Sequence, residues 1–185
     1  MERENQLIIV RGGGDIATGT IHKLHRCGYP VLVLETAAPS AIRRQVALSE
    51  AVYDGVSEVE GAECVRVSGW KEAQEILSRG QIPLLVDPEC KILEEVKPWA
   101  LVDAILAKKN LGTSRDMAPL TIALGPGFVA GQDVDAVVET KRGHRLGRII
   151  REGSAIPNTG IPGVIGGYGA ERVIHAQAAG VFMNV

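Results

Sequence analysis

Gly12-x-Gly14-x-x-Ala17 is the stretch of this 185-residue sequence whose spacing most directly specifies a chemistry. Glycines there permit a tight turn, with Gly13 inside it, and let the backbone approach a pyrophosphate. The free N–H groups of a following helix then face the anion, and Ala17 still allows close helix–strand packing. Glu35 lies 23 residues beyond Gly12, at the end of the next apolar run, where an acid hydrogen-bonds ribose hydroxyls. The bland alternative is a tight turn that holds no ligand. Asp15 reads two ways: its charge suits a helix N-terminus, yet it would repel a phosphate placed against it. It is either a helix cap or a ligand.

Further groups qualify by type and place. Arg43 and Arg44 follow Glu35 closely and have the fork geometry that receives a phosphate; a solvated helix face is the alternative. Lys108, Lys109 and Asn110 come just after an expected strand, at the carboxyl edge where open α/β sheets bind ligands. Gly125 and Gly127, in Gly125-Pro126-Gly127-Phe128, follow another and could give backbone access at that edge. Lys141, Arg142, Arg145, Arg148 and Arg151 place five positive charges in eleven residues without an acid, and His144 lies inside the run. That run is read as completing an anion site across the edge from the glycine turn, against the alternative of a solvated ribbon. His144 is a candidate for proton transfer. Cys90 is a candidate to carry sulfur or selenium, should its thiol be acidified; a buried inert cysteine is the competing reading. His22 and His25 have no third ligand, so no metal site is assigned. No GxSxG, HExxH or P-loop pattern is present.

The elements that must position these residues alternate. Gln6–Val10 is a continuously apolar strand, Ile16 to Arg26 a helix closed by Gly28, and Pro30–Glu35 a second buried strand. Strand, glycine turn, helix and strand within about thirty residues form a βαβ unit, which implies a parallel sheet. Further along, Ser40 is placed to cap a helix through about Val52, and Glu63–Val67 has strand character. The apolar spacing predicts a helix over Trp70–Ser78 and strands at Pro83–Asp87, Trp99–Leu106, Thr121–Leu124 and Val134–Glu139. The fold class expected is α/β, a doubly wound, mostly parallel Rossmann-like sheet. It would occupy residues 1–142. Residues 143–185 are punctuated by glycine and carry no long helical pattern, which predicts a small β-rich appendage. The final Gly180-Val181-Phe182-Met183-Asn184-Val185 is apolar and strand-like; the full-length protein is expected to continue past it. Its unpaired edge groups also predict a homo-oligomer.

Composition narrows the function. Twenty basic and 22 acidic groups give a net charge of −2, and two Phe, two Trp and three Tyr leave few stacking platforms. Nucleic acid is therefore not expected as a partner. No apolar run approaches membrane-spanning length, so no membrane partner is expected either. Cys27, Cys64 and Cys90 are scattered and odd in number, which fits a cytoplasmic protein.

Taken together, several segments carry a resemblance. They are Val10-Arg11-Gly12-Gly13-Gly14-Asp15-Ile16-Ala17-Thr18-Gly19, Ala41-Ile42-Arg43-Arg44, Ser49 to Gly55, Val102 to Asn110, Leu124 to Phe128, Asp133 to Thr140, and Arg142 to Arg148. In that order, over nearly the whole chain, the sequence resembles the accessory, or maturation, proteins of the selenium-dependent molybdenum hydroxylase system. The resemblance implies a Rossmann-like domain that serves maturation of a molybdenum hydroxylase. Its partners would be the hydroxylase apoenzyme or other maturation proteins. It supplies no established catalytic residues. A molybdopterin cytosine dinucleotide or another dinucleotide is the cofactor expected, a polyanion suited to glycine-loop amides with arginine and lysine. Two other functions stay open: an NAD(P)-dependent oxidoreductase, supported by the glycine turn and Glu35 but lacking a Tyr-x-x-x-Lys pair, and a non-catalytic interaction module.

Overall fold

A computed structural model of the chain describes residues 5–161 and 163–180. Its first unit is the expected one: β1 (Ile8–Arg11), α1 (Asp15–Arg26) and β2 (Val31–Glu35). Asp15 in the first turn of α1 and Lys23, His25 and Arg26 in the last complement the helix dipole. Gly28, at φ +84, ends the helix in the left-handed conformation that glycine adopts without strain.

The next segment departs from expectation. In place of a helix over residues 40–52 there are two short 3-10 turns, Arg44–Val46 and Leu48–Glu50, and then one helical turn, α2 (Ala51–Asp54). Tertiary partners take the hydrogen bonds that a longer helix would need. The Ser49 N–H donates to the Gly13 carbonyl at 2.8 Å and the Leu48 N–H to Thr18 Oγ1 at 3.0 Å. Ile42, which would begin an apolar stripe, is 96% exposed. β3 (Val56–Val59), absent from the sequence reading, and β4 (Ala62–Val67) form a hairpin. Helix α3 (Trp70–Ser78) and β5 (Ile82–Val86) complete a second βαβ unit.

The chain then crosses back to β6 (Ala100–Asp103), β7 (Thr121–Leu124) and β9 (Ala136–Val138), with the two-residue β8 (Val129–Ala130) between the last two. β6 is shorter than the Trp99–Leu106 expected. It stops where the Asp103 carboxylate accepts the Ile105 N–H at 3.2 Å and where Leu106 turns to φ +59. β10 (Ile149–Ile150) and β11 (Gly153–Ser154) follow.

The main sheet has nine strands in the order β10-β9-β7-β6-β1-β2-β5-β4-β3. The seven from β9 to β4 are parallel, and β10 and β3 are antiparallel edges. β11 pairs with β8 in a second, two-stranded sheet. Side chains alternate between two cores. Ile8, Val10, Val31 and Val33 pack with Ile21 of α1 and with Ala51 and Val52 of α2. Ile9, Leu32, Leu34 and Leu101 pack on the opposite face with Ala73 and Ile76 of α3. Such burial of both faces is what continuous apolar strands require. A third cluster, Ala123, Phe128, Ala130, Val134, Val137 and Ala155, lies under the two-stranded sheet.

Order reverses between β1 and β6. The chain leaves β1 toward β2 and returns to β6 on the other side, so the carboxyl ends of these strands flank the topological switch point of the sheet. The strand-like segment 181–185 lies outside the described residues. No helix of the described residues is long and apolar enough to cross a membrane.

Candidate functional site

The three glycines after β1 do three different things. Gly12 has φ +94, and a Cβ there would lie 3.0 Å from Ile105 Cα and 3.1 Å from the Ala104 carbonyl. It lets the ends of β1 and β6 close on each other. A Cβ on Gly13 would meet Ser49 N at 3.1 Å, so Gly13 admits the 48–50 turn. Gly14 precedes α1 with φ −63 and ψ 176, which any residue adopts, and nothing lies within 4 Å of its Cβ position. Only Gly14 borders open space.

Around this turn the fold gathers Glu35, Asp15 and Arg43. Glu35 Oε2 accepts the Gly13 N–H at 2.8 Å and Oε1 accepts the Thr36 N–H at 2.7 Å. The carboxylate is thus held beside the glycine turn by the backbone. The Asp15 carboxylate accepts its neighbour's amide, from Ile16, at 3.0 Å, and Arg43 Nε pairs with Asp15 Oδ2 at 2.6 Å. The amides of Gly14 and Asp15 have no protein acceptor among the described residues. These are the N–H groups that a helix N-terminus offers an anion. Arg43 offsets the Asp15 charge that would oppose a phosphate. Arg44 turns elsewhere: it pairs with Glu50 Oε2 at 2.5 Å and lies 5.9 Å over the Tyr53 ring. The turn thus brings two open amide donors, the Glu35 carboxylate and the Arg43 guanidinium to one place.

A second group forms further along the same carboxyl edge. Lys108, at φ +61, packs its backbone against Gly127, where a Cβ would come within 2.6 Å of Lys109 N. Gly127 serves this close approach of loops. Gly125, at φ +78, does the same against Thr140 and Leu106. Asn110 ties its loop, accepting the Gly112 and Thr113 N–H groups at 2.8 Å each. Lys109 and His144 are exposed. Lys108 and Arg142 line a common cleft of about 490 Å³.

Cys90 stands apart. Its thiol is 4% exposed, and burial pushes its pKa up against the opposing charge of Arg11. Burial outweighs the charge and hydrogen bond of Arg11, both of which act to lower it, so the net shift is upward.

Spacing did not reveal the buried polar network at the switch point. Arg11 and Asp103 end β1 and β6 in direct register. Both are nearly inaccessible, at 3% and 2%. Thr113 bridges them, accepting from Arg11 Nη1 and donating to Asp103 Oδ2 at 2.6 Å. Arg11 Nη2 also donates to the carbonyls of Pro88 at 2.7 Å and Leu111 at 3.3 Å. The available signal was a charge closing each of two otherwise apolar strands.

One curated relative is similar over most of the chain. "Uncharacterized protein YqeB" of Escherichia coli (strain K12) is 52% identical over 180 residues, which are 97% of this chain and 33% of that protein. The chain thus spans about a third of the length of the curated relative it matches. No protein-family model matches the chain, and no solved structure does.

Proposed function

We propose that this chain is the nucleotide-binding unit of an accessory protein for a molybdenum hydroxylase, holding a dinucleotide at the turn between β1 and α1. The observation that carries the nucleotide reading is the juxtaposition at that turn. Two acceptor-free helix amides, open space over Gly14 and a backbone-held Glu35 lie together on the switch-point edge. The hydroxylase role rests on the resemblance of the segments from Val10 to Arg148. It makes molybdopterin cytosine dinucleotide the candidate ligand, and the hydroxylase apoenzyme or another maturation protein the candidate partner, in the cytoplasm.

Mass spectrometry of ligand that co-purifies with the chain, followed by titration with NADH and with molybdopterin cytosine dinucleotide released from a hydroxylase, tests this. Tight binding of the pterin dinucleotide is the expected result. Tight NADH binding with hydride transfer would replace the reading by an oxidoreductase. Binding of neither would make the turn purely structural, as in an interaction module.

A further inference from the structure

The loops that follow β6, β7 and β9 meet over a cleft of about 490 Å³, lined among others by Lys108, Lys141 and Arg142. A neighbouring depression of about 400 Å³ shares Lys108, Pro126, Pro157 and Asn158 with it. Among the described residues no carboxylate lines either one. Among the described residues none of the three cations makes an ion pair within 4 Å. Glu139, two residues before Lys141, is 2% exposed and is committed to the backbone. It accepts the Lys141 and Ile156 N–H groups at 2.8 Å each, which fastens the 156 segment over the end of β9 as one wall of the cleft.

We propose that this cleft is a second anion site, separate from the glycine turn, that binds an organic phosphate monoester. Three cations around one space leave a positive field that a dianion offsets more fully than a monocarboxylate. Most of the remaining lining is apolar, with Pro126, Ile156, Pro157 and Ile161, alongside the hydroxyl of Thr140 and the amide of Asn158. That surface suits a compact apolar body carrying the phosphate, and the volume is that of a small-molecule site. Lys108 has a left-handed backbone there, and Gly127 packs closely against the Lys108–Lys109 backbone, which fixes where the lysine side chain leaves the chain. β9 lies three strand spacings from β1, roughly 14 Å. No residue of the glycine turn lines the cleft, so the two are distinct places along one edge. The site is independent of whether the glycine turn binds a nucleotide.

The test is a titration of the full chain with phenyl phosphate, followed through backbone amide resonances, with inorganic phosphate as the charge-only probe. Saturable shifts at Gly127, Thr140 and neighbouring amides are expected, with inorganic phosphate at least fivefold weaker. Lys141→Glu with Arg142→Glu should weaken phenyl phosphate at least tenfold. If that double variant does not fold, Arg142→Ala alone should weaken it at least threefold. Gly14→Val should leave it unchanged. Four results would overturn the proposal: no saturation, shifts confined to Gly13, Gly14 and Asp15, affinity indifferent to the charge changes, or equal affinity for the two probes.

Discussion

Gly12, Gly13 and Gly14 look equivalent in sequence, yet their Cβ positions differ in what they would meet, and substitutions should separate them. Gly14→Ala places a methyl in open space at an unstrained φ of −63. Its stability in urea should stay within about 0.5 kcal/mol of the parent, while the larger Gly14→Val weakens nucleotide binding at the turn. Gly127→Ala is the opposite case. At φ +114 its methyl would sit 2.6 Å from Lys109 N, and strain with overpacking should cost about 2 kcal/mol or more. Equal urea midpoints for Gly14→Ala and Gly127→Ala would refute this division. Ser49 offers a finer test. Its hydroxyl is fully buried and has no hydrogen-bond partner among the described residues, a state that costs about 1–3 kcal/mol relative to a satisfied group. Ser49→Ala removes the orphan without touching the Ser49 N–H to Gly13 bond. Stability should hold or rise by about 1 kcal/mol; a clear loss would show that the hydroxyl has a partner.

At the scale of elements, what was legible is what local pattern determines. β1, α1, β2 and α3 follow from apolar runs and helical spacing that agree with their tertiary surroundings. Residues 40–52 do not, because the amides of Leu48 and Ser49 bond to Thr18 and Gly13, partners thirty or more residues away. No local pattern encodes those acceptors. The convergence of Glu35 on the glycine turn was legible from spacing, whereas the meeting of Lys108 with Arg142 depends on three loops whose order only the sheet topology sets. Glu139 is the staple among those loops. Burial acts to raise its pKa, but the N–H donors of Ile156, Lys141 and Thr140 and the Lys141 charge outweigh this and leave it lowered. A carboxylate depressed on folding stabilises the native state above its unfolded pKa, about 4.3. That stability is lost as pH falls through the lower folded value. Glu139→Gln should therefore be less stable than the parent at neutral pH, and the gap should narrow below about pH 4. A gap that stays constant on acidification in urea titrations would show that the staple does not depend on ionisation.

At the scale of the molecule, the sheet is two halves joined along β1 and β6, and Arg11 is the group that ties them. From the end of β1 its guanidinium reaches the Pro88 carbonyl after β5, the Leu111 carbonyl in the loop after β6, and, through Thr113, the carboxylate of Asp103. The Asp103 oxygen lies 3.7 Å from Nη1, so the ion pair acts largely through the threonine hydroxyl. Both charges are removed from water, and the value of such a pair lies less in its net energy than in the penalty for breaking it. Arg11→Met would leave Asp103 buried without its cation and should cost roughly 3–5 kcal/mol. Asp103→Asn keeps a hydrogen-bond acceptor for Thr113 while it removes the charge, and should cost less. If the network acts as one unit, the two changes together should cost less than their sum by at least about 1 kcal/mol, because the second removes the charge that the first orphaned. Urea unfolding of the four proteins in the cycle measures this coupling. Strict additivity would mean that the two halves are held by the apolar contacts of β1 and β6 alone, with Arg11 anchored by the Pro88 and Leu111 carbonyls.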